Sequence, residues 1–293
     1  MGQNSKIEWT HHTFNPWWGC TRVSPGCENC YAETLDRRYN AKYPHWGPTA
    51  PRKFMSDAHW SKPLSWNRKA EAAGERHRVF VASMADVFEV HRDAEVSVMQ
   101  DEARRRLWIL TEQTPHLDWL LLTKRPENAI LVPDWWCANA PENVWLGVTA
   151  EDQKRADERI PLLLEVTWPA KRFVSYEPAL EAIDIARYLW PVHERWPSKF
   201  RSPEAARIAG AKVTKHPQAL LSSHVRLVDW VIAGAESGPG ARHMDLDWVR
   251  SVRDQCVASS TPFFFKQKLE GGRKVSLPEL DGKVWAQVPG DGT

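Results

Sequence analysis

The 293-residue chain has little net charge, five cysteines and no long apolar run, and each shortage excludes something. No stretch approaches 18 consecutive apolar residues, so a spanning helix and a membrane partner are not expected. The start, Met1-Gly2-Gln3-Asn4-Ser5-Lys6, has no apolar segment behind a basic one, and Lys6 stands where a myristoylation signal has Ser or Thr. A cytoplasmic protein is the expectation. No Gly-rich phosphate loop, G-x-G-x-x-G unit or H-E-x-x-H pair occurs, which leaves nucleotide hydrolysis and zinc proteolysis without support. An odd number of cysteines in such a chain does not suit a disulfide framework. Repeats and low-complexity tracts are missing too. What remains is a globular composition, 42% hydrophobic and 26% charged, with enough length to bury one large core.

The net charge of +2 hides an uneven distribution. Arg37 to Arg78 carries ten Lys/Arg against three acids, and Pro191 to Arg226 carries seven against two, which leaves the rest of the chain at −10. Such asymmetry fits either an anionic partner or solvated loop surface. Pairs such as Arg52/Lys53 and Lys212/Lys215 are the natural backbone contacts if the partner is DNA. Trp is used seventeen times; most are expected in the core, although clustered aromatics also stack on bases.

One unit recurs along the chain: a short apolar run, a polar tip, then an amphipathic stretch. The runs are 79–82, 119–122, 144–148, 173–174, 230–233 and 263–265. Runs without alternation fit strands covered on both faces. Val96, Met99, Ala103, Leu107 and Leu110 share one helical face, as do Val249, Val252 and Cys256, with Asp245 or Asp247 as a cap. The pattern predicts an α/β domain spanning the chain, a partial or complete (β/α) barrel of about six parallel strands or a doubly wound sheet. In either, the polar tips share one cleft. Residues 40–69 read as a long irregular insertion and 191–226 as a basic one; both coincide with the basic segments.

The densest chemistry is Cys20, Cys27 and Cys30, spaced C-x6-C-x2-C, with Ser24-Pro25-Gly26 as the turn that brings Cys20 back. Three thiols in eleven residues point to a soft metal or a cluster. A structural zinc needs a fourth ligand, for which His11, His12 and His45 are candidates; an iron–sulfur cube on three cysteines leaves one iron open. Cys137 and Cys256 are expected to be packed.

Three clustered cysteines after a short first strand, ahead of a parallel α/β array, resemble the radical S-adenosylmethionine superfamily. The resemblance implies a [4Fe-4S] cluster on Cys20, Cys27 and Cys30, with S-adenosyl-L-methionine bound to the open iron through its amino and carboxylate groups. It also implies an electron donor such as flavodoxin, and reductive cleavage to a 5′-deoxyadenosyl radical that abstracts hydrogen. The sequence departs from the usual C-x3-C-x2-C in its first gap, and Asn29 replaces the customary aromatic before the last cysteine.

A second resemblance covers nearly the whole chain. Ile7-Glu8-Trp9-Thr10, Asn15-Pro16, the three-Cys loop, Leu122 to Glu127, Val144 to Val148, Ser175-Tyr176-Glu177-Pro178 and Gly234 to Gly240 are similar to a bacteriophage three-cysteine family. Some of its members are associated with thymidine hypermodification. This implies DNA carrying modified thymidine as substrate and, for a phage gene, the host cytoplasm as location. The implied reaction is radical isomerisation of N-α-glycinylthymidine to C-α-glycinylthymidine, in a modification that protects against host restriction. An iron–sulfur nucleic-acid repair lyase and a zinc-stabilised DNA-binding module without catalysis are the alternatives.

Among the tips, Glu236, Ser237 and Gly238 are candidates for the cofactor, because glycine there admits close backbone approach. Glu177 is a candidate for a ribose hydroxyl or an amine. Ser83, with Asp86 near it, is a further tip candidate. Lys124 and Arg125 are candidates for gripping a substrate carboxylate or phosphate.

Overall fold

The computed structural model describes residues 5–139, 141–190, 227–238 and 240–290. The chain opens with β1 (His12–Thr13), β2 (Trp17–Trp18), helix α1 (Tyr31–Tyr39) and β3 (Lys53–Phe54), which pairs with β2 antiparallel. After α2 (Asp57–Trp60) and α3 (Lys62–Ala73) come β4 (His77–Val81), α4 (Ala94–Glu112), β5 (Leu117–Thr123) and α5 (Asp134–Ala138). There follow β6 (Val144–Thr149), α6 (Gln153–Glu165), β7 (Lys171–Tyr176), β8 (Trp230–Gly234), α7 (Leu246–Ser259), β9 (Phe263–Glu270) and β10 (Arg273–Ser276).

One sheet runs in the order β1-β4-β5-β6-β7-β8-β9-β10, parallel throughout except for the antiparallel β9–β10 pair. Its ends do not pair, so the architecture is a partial (β/α) barrel, open between β1 and β10. All six apolar runs are strands of this sheet, and a seventh parallel strand joins them. That strand, β1, is only two residues long and leaves no apolar run to read; it is held by pairing His12 with Val79 and Thr13 with Phe80.

The parallel strands of the sheet are covered on both faces, for different reasons, whereas β10 is largely exposed. One face carries Val79, Val81, Trp119, Leu121, Leu146, Val148, Val174, Val231 and Phe265, packed with Ala103, Leu107, Ile160, Leu163, Val249 and Val252 from the helices. The opposite, concave face carries Phe80, Leu120, Trp145, Phe173, Trp230, Ile232 and Phe264, with Trp9 laid across them. The rings interlock: Trp9 meets Phe80 at 4.8 Å, and Trp230 meets Trp145, Phe173 and Phe264 at 5.9–6.1 Å. Gly147 belongs to this packing, since a Cβ there would fall 2.3 Å from the Phe173 ring. Lys274 Nζ reaches Glu8 at 2.8 Å and ties the segment before Trp9 to β10, across the open side.

Several expectations change. Residues 57–60 and 62–69 of the supposed irregular insertion are helical: α3 begins with Pro63 in its first turn, buries Trp66 and Ala70, and ends at Gly74 in the left-handed conformation. The buried face of α4 is Gln100, Ala103, Arg104, Leu107, Trp108, Leu110 and Thr111, so Ala103, Leu107 and Leu110 face inward as expected and Met99 points outward. Cys137 is exposed, not packed. It sits on the one-turn helix α5, where the neighbouring Trp136 takes the inward position against Trp108 and Trp168, and consecutive helical residues face different ways. Cys256 is fully buried on α7, whose N-cap is Asp245. The insertion at 191–226, with Lys212 and Lys215, lies outside the described residues. Among the described residues no helix is long and apolar enough to cross a membrane.

Candidate functional site

Above the aromatic floor the concave face opens into a cavity of about 370 Å³. Its walls are strand tips: Ala82, Ser83 and Asp86 after β4, Leu122 to Arg125 at β5, Thr149 at β6, Ser175 and Glu177 at β7, Glu236 and Ser237 after β8, Lys266 and Gln267 in β9. Cys20, Cys27 and Cys30 line the same cavity. Of the strand-tip candidates read from the sequence, only Gly238 stands outside its lining.

The cysteine loop is fixed at both ends by buried ionic groups. Gly19 has φ +112°, and a Cβ there would sit 2.3 Å from the His45 carbonyl oxygen, so this turn admits only glycine. Arg125 donates to Asp86 (2.9 Å) and to the Thr21 carbonyl (2.6 Å), and its guanidinium stands 3.7 Å from Cys20 Sγ. Arg52, its side chain fully buried, makes two 2.9 Å bonds to Glu89 and further bonds to Thr21 Oγ1 and the His45, Gly47 and Ala50 carbonyls. It is therefore a loop anchor and not a DNA contact. At the other end Gly26 N–H donates to Glu151 (3.1 Å), which pairs with Arg159. Arg242 binds the Pro25 carbonyl, Glu28 and Glu236 together.

These contacts define what each tip residue is free to do. Both Glu236 oxygens are held, by Arg242 and by Asn29 (2.9 Å), so Glu236 clamps the loop to β8. Asp86 accepts from Thr123, Phe88 N, Lys124 N and Arg125, and so locks the β5 tip to the turn after β4. Ser83 accepts from Asn15 Nδ2 (3.1 Å) while its carbonyl takes the Tyr31 hydroxyl (2.7 Å). Glu177 Oε1 is held by Lys266 Nζ (2.5 Å) and Gln267 (3.3 Å). Thr149 Oγ1 is buried without a hydrogen-bond partner and faces Ser175 in strand register.

The electrostatics favour a negatively charged occupant. Burial pushes the Cys20 thiol up to about 12, against the pull of Arg125, and burial raises Cys30 as well. Burial opposes the Lys124 ammonium, yet Cys27, Glu151 and Cys30 outweigh it and raise its pKa. Two cations thus stand behind three thiols. A bound metal centre reverses this balance by deprotonating its thiols.

Among the described residues no three His, Cys, Asp or Glu side chains converge on a single-ion site, and no histidine lines the cavity. His45 is bound to Asp36 (2.8 Å), and His11 and His12 group with His77. Among the described residues the three histidines named as fourth ligands are thus held away from the cysteines. Three thiols around one cavity wall, backed by cations, are the donor set that a cluster with one open position would use.

Trp9, Thr149, Ser175, Lys266 and the anchors Arg242 and Glu151 were not among the residues singled out from sequence. Thr149, Glu151, Ser175 and Lys266 had a signal, their place at the tips of the runs 144–148, 173–174 and 263–265, whereas Arg242 had none. A solved structure of a cysteine-to-alanine mutant of spore photoproduct lyase with a dinucleoside spore photoproduct is similar in fold. Its sequence identity is 14%, its TM-score 0.45, and 93% of this chain and 68% of that chain are covered. No curated protein matches the chain. A family model described as "Protein of unknown function (DUF5131)" matches residues 4–289, and the chain belongs to that family.

Proposed function

We propose that the protein is a radical S-adenosylmethionine enzyme, with a [4Fe-4S] cluster on Cys20, Cys27 and Cys30 and modified thymidine in phage DNA as substrate. The observation that carries this reading is the meeting of three free thiols and six strand tips in one cavity. Bound there, the cluster and S-adenosyl-L-methionine would supply one-electron cleavage and a carbon radical able to abstract hydrogen.

The chain's own residues do the rest. Arg125 and Lys124 offset the negative charge of three thiolates. Arg125 also holds Cys20 in position, so the substrate-gripping role narrows to Lys124. Ser83, Glu177 and Ser237, with Thr149 and Ser175, offer polar contacts at the tips. Glu236 acts by fixing the loop, and Gly238, at φ +103°, by turning the chain back toward Arg242. Trp9, Phe80 and Leu122 keep water from the floor, which a carbon radical requires.

The proposed reaction is isomerisation of N-α-glycinylthymidine to C-α-glycinylthymidine: hydrogen leaves the glycinyl methylene, the bond between nitrogen and the thymine methyl carbon breaks, a bond from the glycinyl α-carbon to that methyl carbon forms, and a hydrogen atom is returned to the nitrogen. Atoms are conserved overall. An electron donor such as flavodoxin would reduce the cluster. The test is anaerobic reconstitution followed by product analysis. Wild type should hold about four irons per chain, while Cys20→Ala, Cys27→Ala and Cys30→Ala should hold none and Cys137→Ala and Cys256→Ala should match wild type. Full iron in any loop variant would overturn the ligand set. Cleavage of damaged DNA without turnover of glycinylthymidine DNA would replace the isomerase by a lyase.

A further inference from the structure

Five tyrosines occur in the chain. Tyr176 and Tyr188 are buried and Tyr31 donates to the Ser83 carbonyl, but Tyr39 and Tyr43 are 68% and 67% exposed. They stand at the end of α1 and in the turn after it, within residues 37–46, which hold Arg37, Arg38 and Lys42 and no acid. Each ring has a cation beside it, Arg38 at 5.9 Å from Tyr39 and Lys42 at 5.4 Å from Tyr43.

This turn is built rigidly. The buried Asp36 carboxylate accepts from Asn40 Nδ2 (2.9 Å), from the His45 N–H (2.7 Å) and from His45 Nδ1 (2.8 Å), so one side chain pins both ends of the turn. Its exposed rings are presented by an anchored backbone. The turn also runs into the cavity: Trp46 lines the mouth, and so does Arg22, which shares Glu33 with Arg37 at 2.7 Å each.

We infer that this turn is a docking platform for single-stranded nucleic acid. Bases stack on Tyr39 and Tyr43, Arg38 and Lys42 face the phosphates, and the strand leads past Trp46 into the cavity. Exposed aromatic faces flanked by cations suit unpaired nucleotides, because every base offers a π-face. A duplex keeps those faces stacked inside and presents phosphates alone, and a base must leave the stack to enter a pocket at all. The inference rests on the nucleic-acid substrate proposed above, but its test does not pass through the cluster.

The test is fluorescence anisotropy with fluorescein-labelled (dT)12 and with a 12-base-pair duplex, each over a salt series. Tyr39→Ala/Tyr43→Ala should weaken (dT)12 binding by at least about tenfold and leave both duplex affinity and the (dT)12 salt slope unchanged. Tyr39→Phe/Tyr43→Phe should bind like wild type. Arg38→Gln/Lys42→Gln should lower the salt slope, by roughly 0.7 for each phosphate that is no longer neutralised. Unchanged (dT)12 affinity in the double alanine variant would overturn the platform, as would equal weakening for both ligands, which would mark a phosphate-only surface. So would a change of oligomeric state in that variant, which would mark a protein contact. Wild type binding as expected but holding no iron would leave the platform standing and remove the enzymatic reading.

Discussion

The concave face of the half-barrel has two levels, and they are built on opposite principles. The floor is aromatic: Trp9, Phe80, Trp145, Phe173, Trp230 and Phe264 fill it ring against ring. The mouth, two to six residues further along the same strands, is lined by hydroxyls, lysines and carboxylates, with the thiols of the cysteine loop, around an open cavity. The floor gains from burial and close packing, whereas the mouth carries buried polar groups that cost stability unless each finds a partner. Most do, in the chain itself; Thr149 Oγ1 is the exception, and the three thiols are joined in no disulfide. Stability is built into the floor, and the proposed chemistry depends on the mouth.

The difference can be broken from either side. The largest effect is expected from Trp230→Ala, which should cost about 3–5 kcal/mol in chemical denaturation with iron still bound in the folded fraction. Gly147→Ala should act in the same direction through its collision with Phe173, by about 1–3 kcal/mol. At the mouth, Arg52→Gln leaves Glu89 buried without its main partner. It should cost about 3 kcal/mol and also loosen the Cys20 end of the loop, so that iron is lost faster to a chelator than in Trp230→Ala. Equal rates of iron loss in the two variants would erase the distinction between the levels.

A smaller effect follows from histidines below the floor. Burial holds His12 and His59 down at about 4, from an ordinary 6.5. The folded state then binds fewer protons than the unfolded chain between these values, so stability is full above pH 6.5 and declines as pH falls toward 4. Melting temperature against pH reads this directly, and iron content at pH 6 should be untouched. The smallest effect belongs to Thr149→Val. Removing an unpartnered hydroxyl should be neutral or stabilising by up to about 1 kcal/mol while weakening S-adenosyl-L-methionine binding, measured by equilibrium dialysis on reconstituted protein. A marked loss of stability would mean that Thr149 has a structural partner.

Much of this division is legible in the sequence, and the illegible part has a physical cause. Strands covered on both faces leave uninterrupted apolar runs, so all six long parallel strands and their tips stand out; β1, held by two residue pairs, leaves no run. The cysteine spacing marks the loop. What the sequence does not reveal is partnership. Arg52, Arg125 and Arg242 look like surface cations, and only the fold brings Arg52 to Glu89 and Arg242 to Glu236 and the loop. Local charge density therefore points to Arg52 as a DNA contact, although Arg52 is buried while Lys53 beside it, like Arg38 and Lys42, is exposed. Cys137 misleads for another reason, because a single helical turn has no period from which an inward face can be read.

The central claim is that the mouth holds a cluster with one open iron. Electron paramagnetic resonance of the reduced, reconstituted protein, recorded with and without S-adenosyl-L-methionine, tests it most directly. The expected result is a [4Fe-4S]+ signal whose g-values shift when S-adenosyl-L-methionine is added, in wild type and in Cys137→Ala alike. A cluster signal indifferent to S-adenosyl-L-methionine, or a colourless protein that binds zinc in its place, would contradict it.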